Sequence, residues 1–163
     1  MASSLPFLHR PTLEAQINDR LHERERSQAQ LLLMICATAS AYINDPRVYE
    51  SISGVTAPGY QYFSVVQDSW SPLLGRPALA ELQTCAVSNS HRSSITCNVL
   101  TILEQLMSTY CSTIIGDTAR GWIYLGTGVR IAVGMGAHRK STCPDEMWKR
   151  TFWYVISFPL ALP

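Results

Sequence analysis

Apolar positions recur at intervals of three and four along most of the chain, the spacing of a helix face, and no stretch alternates strictly as a half-buried strand would. Residues 13–43 are rich in the good helix formers Leu, Ala, Gln, Glu and Arg, and they run into Asn44-Asp45-Pro46, where proline forbids continuation. The first half of this segment is charged and the second is apolar on every side, so one helix, or two in series, passes from the surface into the core. Residues 60–70 predict the next helix, entered through Ala57-Pro58-Gly59 and stopped before Pro72, with Tyr62, Phe63, Val66 and Trp70 at helical spacing. Residues 71–77 are a loop by composition. Between 78 and 110 the apolar positions Leu79, Leu82, Val99, Ile102, Leu103 and Leu106 keep a helical spacing, and the polar run 88–94 splits them into two helices. Asp117 offers a side-chain oxygen to the orphan N–H groups of a helix reaching Gly136. Thr142-x-x-Asp145, a capping box with Asp for the usual Glu, opens a last helix over 143–156. With no internal repeat, the pattern predicts an all-α fold, an irregular multi-helix bundle.

The segment 117–139 is the most informative. At 100° per residue, Trp122, Leu125, Gly126, Val129, Val133 and Gly136 fall on one face, with Tyr124 and Ile131 opposite. A helix apolar on two sides is expected to lie at the centre of its domain. Gly121, Gly126, Gly128, Gly134 and Gly136 each cost about 1 kcal/mol relative to Ala in a helix interior, which calls for the close approach of a neighbouring helix. Gly126 is expected at the closest contact. Arg130 sits at the edge of the apolar face, where a partly buried guanidinium needs a carboxylate or carbonyl partner.

Composition narrows the function. The 163 residues suit one domain, and at 15% charged against 47% hydrophobic the chain is poorer in charge than the roughly 25% of ordinary soluble domains. Its formal charge of +1 gives no field to attract nucleic acid, an anionic membrane or a polyanion. Five cysteines, an odd set without repeated spacing, argue against a disulfide framework and fit a reducing compartment. No charged n-region precedes an apolar run at the start, and the run 31–37 is too short to span a bilayer, so a soluble intracellular protein without membrane contact is expected. A mean hydropathy near zero further implies apolar surface that a partner would cover.

Candidate chemistry does not displace this reading. Gly126-x-Gly128 and Gly134-x-Gly136 complete no phosphate-binding motif and follow no strand. Cys85, His91 and Cys97 match no structural zinc spacing, and His138 beside Cys143 lacks an orienting acid. Glu23 and Glu25 alternate with Arg24 and Arg26 as a solvated ion-paired face, while Asp145-Glu146 sits where acids favour a helix N-terminus. The basic runs His138-Arg139-Lys140 and Lys149-Arg150 make only a weak patch for DNA. The sequence therefore offers no catalytic, cofactor-binding or metal-ligating residue.

Four strings in order carry a resemblance. They are Phe7-Leu8-His9-Arg10-Pro11-Thr12-Leu13; residues 31–42 with Tyr62-Phe63; Ala119-Arg120-Gly121-Trp122-Ile123-Tyr124-Leu125-Gly126, continued by Val129-Arg130-Ile131-Ala132 and Gly136-Ala137-His138-Arg139; and Lys149-Arg150-Thr151-Phe152-Trp153. Together they resemble the helical regulatory domain, or middle homology region, of fungal zinc-cluster transcription factors. The resemblance marks His9, Arg10, Pro11, Trp122, Gly126, Arg130, Gly136, His138, Arg139, Arg150, Phe152 and Trp153 as signature residues with structural roles. It implies a lead-in segment over 1–11, an incomplete regulatory domain over 12–158 corresponding to the N-terminal half of a larger all-helical domain, and an aberrant tail over 159–163. It also implies a non-enzymatic, nuclear regulator of transcription, with zinc and DNA bound only by a six-cysteine cluster that this chain does not contain. Co-regulators, an inducer metabolite or a homodimer are the partners such a domain would have. Ala137 and Gly134 depart from the family pattern, where Leu and a polar residue are usual. A helical small-molecule binder or enzyme, and a fragment without independent function, are the alternatives.

Overall fold

In the first third of the chain, helix formation is broken twice without a glycine or a proline. The computed structural model describes residues 10–43, 45–49, 54, 56–70, 91–134 and 153. It divides the helix expected over 13–43 into α1 (Arg10–Asn18), α2 (Leu21–Arg24) and α3 (Arg26–Ser40). Arg20 takes a left-handed conformation (φ 52°, ψ 36°), and its N–H donates to the Ile17 carbonyl at 3.0 Å. Glu25 is extended (φ −122°, ψ 114°) and starts α3 without a side-chain cap. α1 begins three residues earlier than the apolar pattern suggests, with Pro11 in its first turn, where the missing N–H has no intrahelical partner to lose.

α3 buries Leu31, Met34 and Ala37 along one face, and Thr38 Oγ1 donates back to the Met34 carbonyl at 2.8 Å. After a short 3₁₀ turn (Pro46–Tyr49), α4 (Tyr60–Trp70) returns against α3. Gly59 sets the angle of that return. Its φ is 75°, its N–H donates to the Val48 carbonyl at 2.7 Å, and a Cβ there would stand 2.7 Å from the Ala37 carbonyl oxygen. Only glycine combines that φ with so close an approach. At the far end of α4, Gln30 Nε2 donates to Ser69 Oγ and an Arg26 guanidinium nitrogen to the Ser69 carbonyl, both at 2.8 Å.

α5 (His91–Tyr110) runs on into a π-helical turn (Cys111–Ile115), and α6 (Thr118–Gly134) follows. The polar residues 91–94, expected to interrupt the helix, form the first turn of α5 instead, where free N–H groups favour polar sequence. The rest of the expected interruption, the helix expected over 78–87 and the one over 143–156 lie outside the described residues.

The central helix is α5, not the glycine-rich α6. Val99, Thr101, Ile102, Leu103, Glu104, Gln105, Leu106, Met107, Ser108 and Tyr110 are all buried, so between residues 99 and 110 α5 has no fully exposed residue, and both α3 and α6 pack on it. Phe63 of α4 stacks on Tyr110 with ring centroids 4.9 Å apart, and the Tyr110 hydroxyl donates to the Pro58 carbonyl at 2.8 Å. The fold is all-α, with no strand among the described residues. No described helix is long and apolar enough to cross a membrane.

Candidate functional site

The signature residues that the structure describes concentrate on α6, which a tight connection docks onto α5. Gly116, in the left-handed region at φ 82°, ends the π turn, and the Asp117 N–H donates to the Cys111 carbonyl at 2.9 Å. Asp117 then caps α6 as its sequence position predicts: Oδ1 accepts from the Arg120 N–H at 2.9 Å, and Oδ2 lies 3.2 Å from Arg120 Nε. The half-exposed ion pair adds little stability beyond the cap itself.

Two glycines bring the helices together, and neither is Gly126. A Cβ on Gly121 would collide with the Ser112 hydroxyl and approach the Ser108 carbonyl oxygen to 3.1 Å, while one on Gly128 would stand 3.2 Å from Glu104 Cβ. These glycines, two turns apart, share a buried face with Tyr124, Leu125, Ile131 and Ala132. Gly126 faces away: a Cβ there would meet only the Arg130 guanidinium, at 3.9 Å. The expectation that Gly126 marks the closest contact is therefore corrected. Replacing Gly126 with Ala should raise stability by about 0.5–1 kcal/mol, because the helix gains propensity without a clash. Urea unfolding of the dilute protein measures this, and a loss of stability would contradict the assignment.

The expectation that both apolar sides of this helix are buried is corrected as well: Trp122 is 51% exposed and Val133 45%, whereas Leu125, Tyr124 and Ile131 are 2%, 3% and 4% exposed. Arg130 is exposed, and among the described residues its guanidinium donates to Thr127 Oγ1 at 3.1 Å rather than to the expected carboxylate or carbonyl. Arg10 forms an exposed ion pair with Glu14 one turn on, at 2.6 Å, Pro11 is exposed, and Trp153 is 64% exposed. His9, Gly136, His138, Arg139, Arg150 and Phe152 lie outside the described residues, as do Cys85, Cys143 and the side chains of His91 and Cys97.

Beneath α6 lies a polar seam that the apolar pattern concealed. Thr101, Glu104, Gln105 and Ser108 are each at most 1% exposed, and both polar atoms of the Gln105 amide and the Ser108 hydroxyl are buried without a hydrogen bond. Their spacing on one side of α5 was visible in the sequence; their burial was not. Burial pushes the Tyr124 phenol up to about 12, helped by the neighbouring Cys111 and Glu104, and pushes the Cys111 thiol up to about 12 as well. A thiol so protonated is no nucleophile at neutral pH.

Both shifts favour the protonated form in the folded state. The stability they contribute is complete below the unfolded values, 9.0 for the thiol and 10.0 for the phenol, and is lost as pH rises toward about 12. Stability followed by circular dichroism should be unaffected by these two groups up to pH ~9 and fall steeply between ~9 and ~12. A Tyr124→Phe variant should lose the upper part of that fall; an unchanged profile would contradict it.

Between α1, α2 and α3 a cavity of about 10 Å³ is lined by Leu13, Gln16, Ile17, His22, Gln28 and Leu32. It is the size of one water, far below the ~300 Å³ at which metabolite pockets begin. His22 Nδ1 and Gln28 Nε2 in its lining are buried without hydrogen bonds. Among the described residues no cluster of His, Cys, Asp or Glu could hold a metal ion. Cys36 is exposed and Cys111 is buried in the core. Five cysteines without a C-x-x-C pair do not fit a six-cysteine zinc cluster in any case.

The family model described as the fungal specific transcription factor domain matches residues 1–156. No curated protein and no solved structure matches the chain.

Proposed function

Because the chain belongs to the fungal specific transcription factor domain family, a family of regulatory rather than catalytic domains, we propose that it is the regulatory and interaction module of a nuclear zinc-cluster transcription factor. It alters the output of a DNA-binding module without reading DNA itself. The family match across nearly the whole chain carries this reading. The electrostatics support it: net charge is +1, and α6 carries only two arginines, one of them tied to Asp117. A recognition helix needs several phosphate contacts and base-facing polar side chains. The outward face of α6 instead presents Trp122, Ile123 and Val133.

On this proposal, zinc and sequence-specific DNA contact belong to a cysteine cluster of the parent protein, and the helical array seen here is the N-terminal half of the regulatory domain. Fluorescence anisotropy with random and zinc-cluster-type duplexes should show weak binding without sequence preference. Sequence-specific binding with a steep salt dependence would overturn the reading.

A further inference from the structure

The breaks at Arg20 and Glu25 let α1, α2 and α3 meet around the cavity of about 10 Å³. Each helix contributes to its lining: Leu13, Gln16 and Ile17 from α1, His22 from α2, and Gln28 and Leu32 from α3. A cavity of this size with apolar walls alone stays dry. Two polar atoms change that. Gln28 is only 5% exposed, and its Nε2 is buried without a hydrogen bond. His22 is partly buried, and its Nδ1 is likewise enclosed with no partner among the described residues.

The two atoms are opposite in kind. An amide nitrogen donates, and Nδ1 of a neutral imidazole whose proton sits on Nε2 accepts. Either one left unpaired in the interior carries the full desolvation penalty of a lost hydrogen bond. The structure gives them no direct bond to each other. Whatever joins them must therefore accept from Gln28 and donate to His22. An ammonium ion only donates and a halide ion only accepts, whereas a water molecule does both. The volume agrees, being about that of one water. The cavity also opens partway to solvent, so water enters without separating the helices.

We propose that this cavity is a binding site for a single water molecule, which accepts from Gln28 Nε2, donates to His22 Nδ1 and so ties α2 to α3. The tie spans Glu25, whose extended backbone interrupts the helix and whose side chain leaves the start of α3 uncapped. At such a break the backbone ladder does not fix the angle between the two helices. A bridging water does, because it holds the two side chains nearly as well as a direct hydrogen bond at a modest entropic cost. The site is independent of DNA and of the regulatory reading above.

The test uses the full chain in solution. Paired NOE and ROE spectra should show cross-relaxation between the Gln28 side-chain amide protons and water, with the opposite signs that distinguish a bound molecule from surface hydration and from chemical exchange. Nitrogen spectra of the imidazole should place the His22 ring proton on Nε2, with Nδ1 accepting a hydrogen bond. His22→Phe keeps a ring but removes the acceptor, so the Gln28-to-water cross peak should fall to the level of surface hydration while helical circular dichroism stays unchanged. The wild-type spectra decide by themselves if that variant does not fold. A Gln28 amide without a water cross peak, as a dry cavity or a direct bond to His22 would give, overturns the proposal. So does a His22 ring proton on Nδ1. A cross peak that survives His22→Phe overturns it too, since other groups would then hold the water.

Discussion

Gly59→Ala should lower the unfolding free energy by about 2–5 kcal/mol, from two separable causes. A left-handed φ of 75° costs a residue with a Cβ about 1–2 kcal/mol. The new methyl would also stand 2.7 Å from the Ala37 carbonyl oxygen and 2.9 Å from Ala37 Cα, backbone atoms that move only if α3 and α4 separate, and such overpacking costs about 1–3 kcal/mol. Gly54→Ala supplies the control. Its φ is 79°, but nothing lies within 4 Å of the position a Cβ would take, so only the conformational cost applies. Urea midpoints should separate the two variants clearly. Equal losses would mean that α3 and α4 do not meet at Gly59.

Phe63→Ala should cost about 3–5 kcal/mol, and Trp122→Ala less than about 1 kcal/mol. Phe63 has no exposed surface, stacks on Tyr110 and packs in the cluster of Leu31, Met34, Leu103 and Leu106. Trp122 is the larger side chain and belongs to the more recognisable motif, yet half of it is already in water. Thermal melts of the two variants at low concentration compare them directly. A Trp122 loss matching that of Phe63 would place Trp122 inside the core and contradict the orientation of α6.

That orientation shows where sequence reading succeeded and where physics withheld the answer. The α4 helix, with Phe63 and Val66 at helical spacing after Pro58-Gly59, was legible because strong punctuation and clean periodicity agree there. Asp117 as a cap was legible for the same reason: a short acceptor directly precedes the helix it serves. The breaks at Arg20 and Glu25 were not, because neither residue type prefers the backbone it adopts, and the neighbouring residues are all good helix formers. On α6, periodicity found two apolar faces but could not say which one meets α5. The glycines decide it. Gly121 and Gly128 are small where Ser108, Ser112 and Glu104 of the neighbouring segments come close, whereas Gly126 is small where nothing does. The polar seam under α6 was equally hidden, since Glu104, Gln105 and Ser108 read by type as surface residues. The contacts rather than the motif assign the sides of α6.

Under the proposed function, this chain alters transcriptional output through a separate DNA-binding module. The most direct measurement fuses it to a heterologous zinc-cluster DNA-binding domain and compares fusion and free cluster on one promoter, recording both DNA affinity and reporter output. Unchanged DNA affinity with altered output is expected, and a smaller alteration when Gly59→Ala weakens the contact between α3 and α4. An output identical to that of the free cluster, or a change explained wholly by altered DNA affinity, would contradict it.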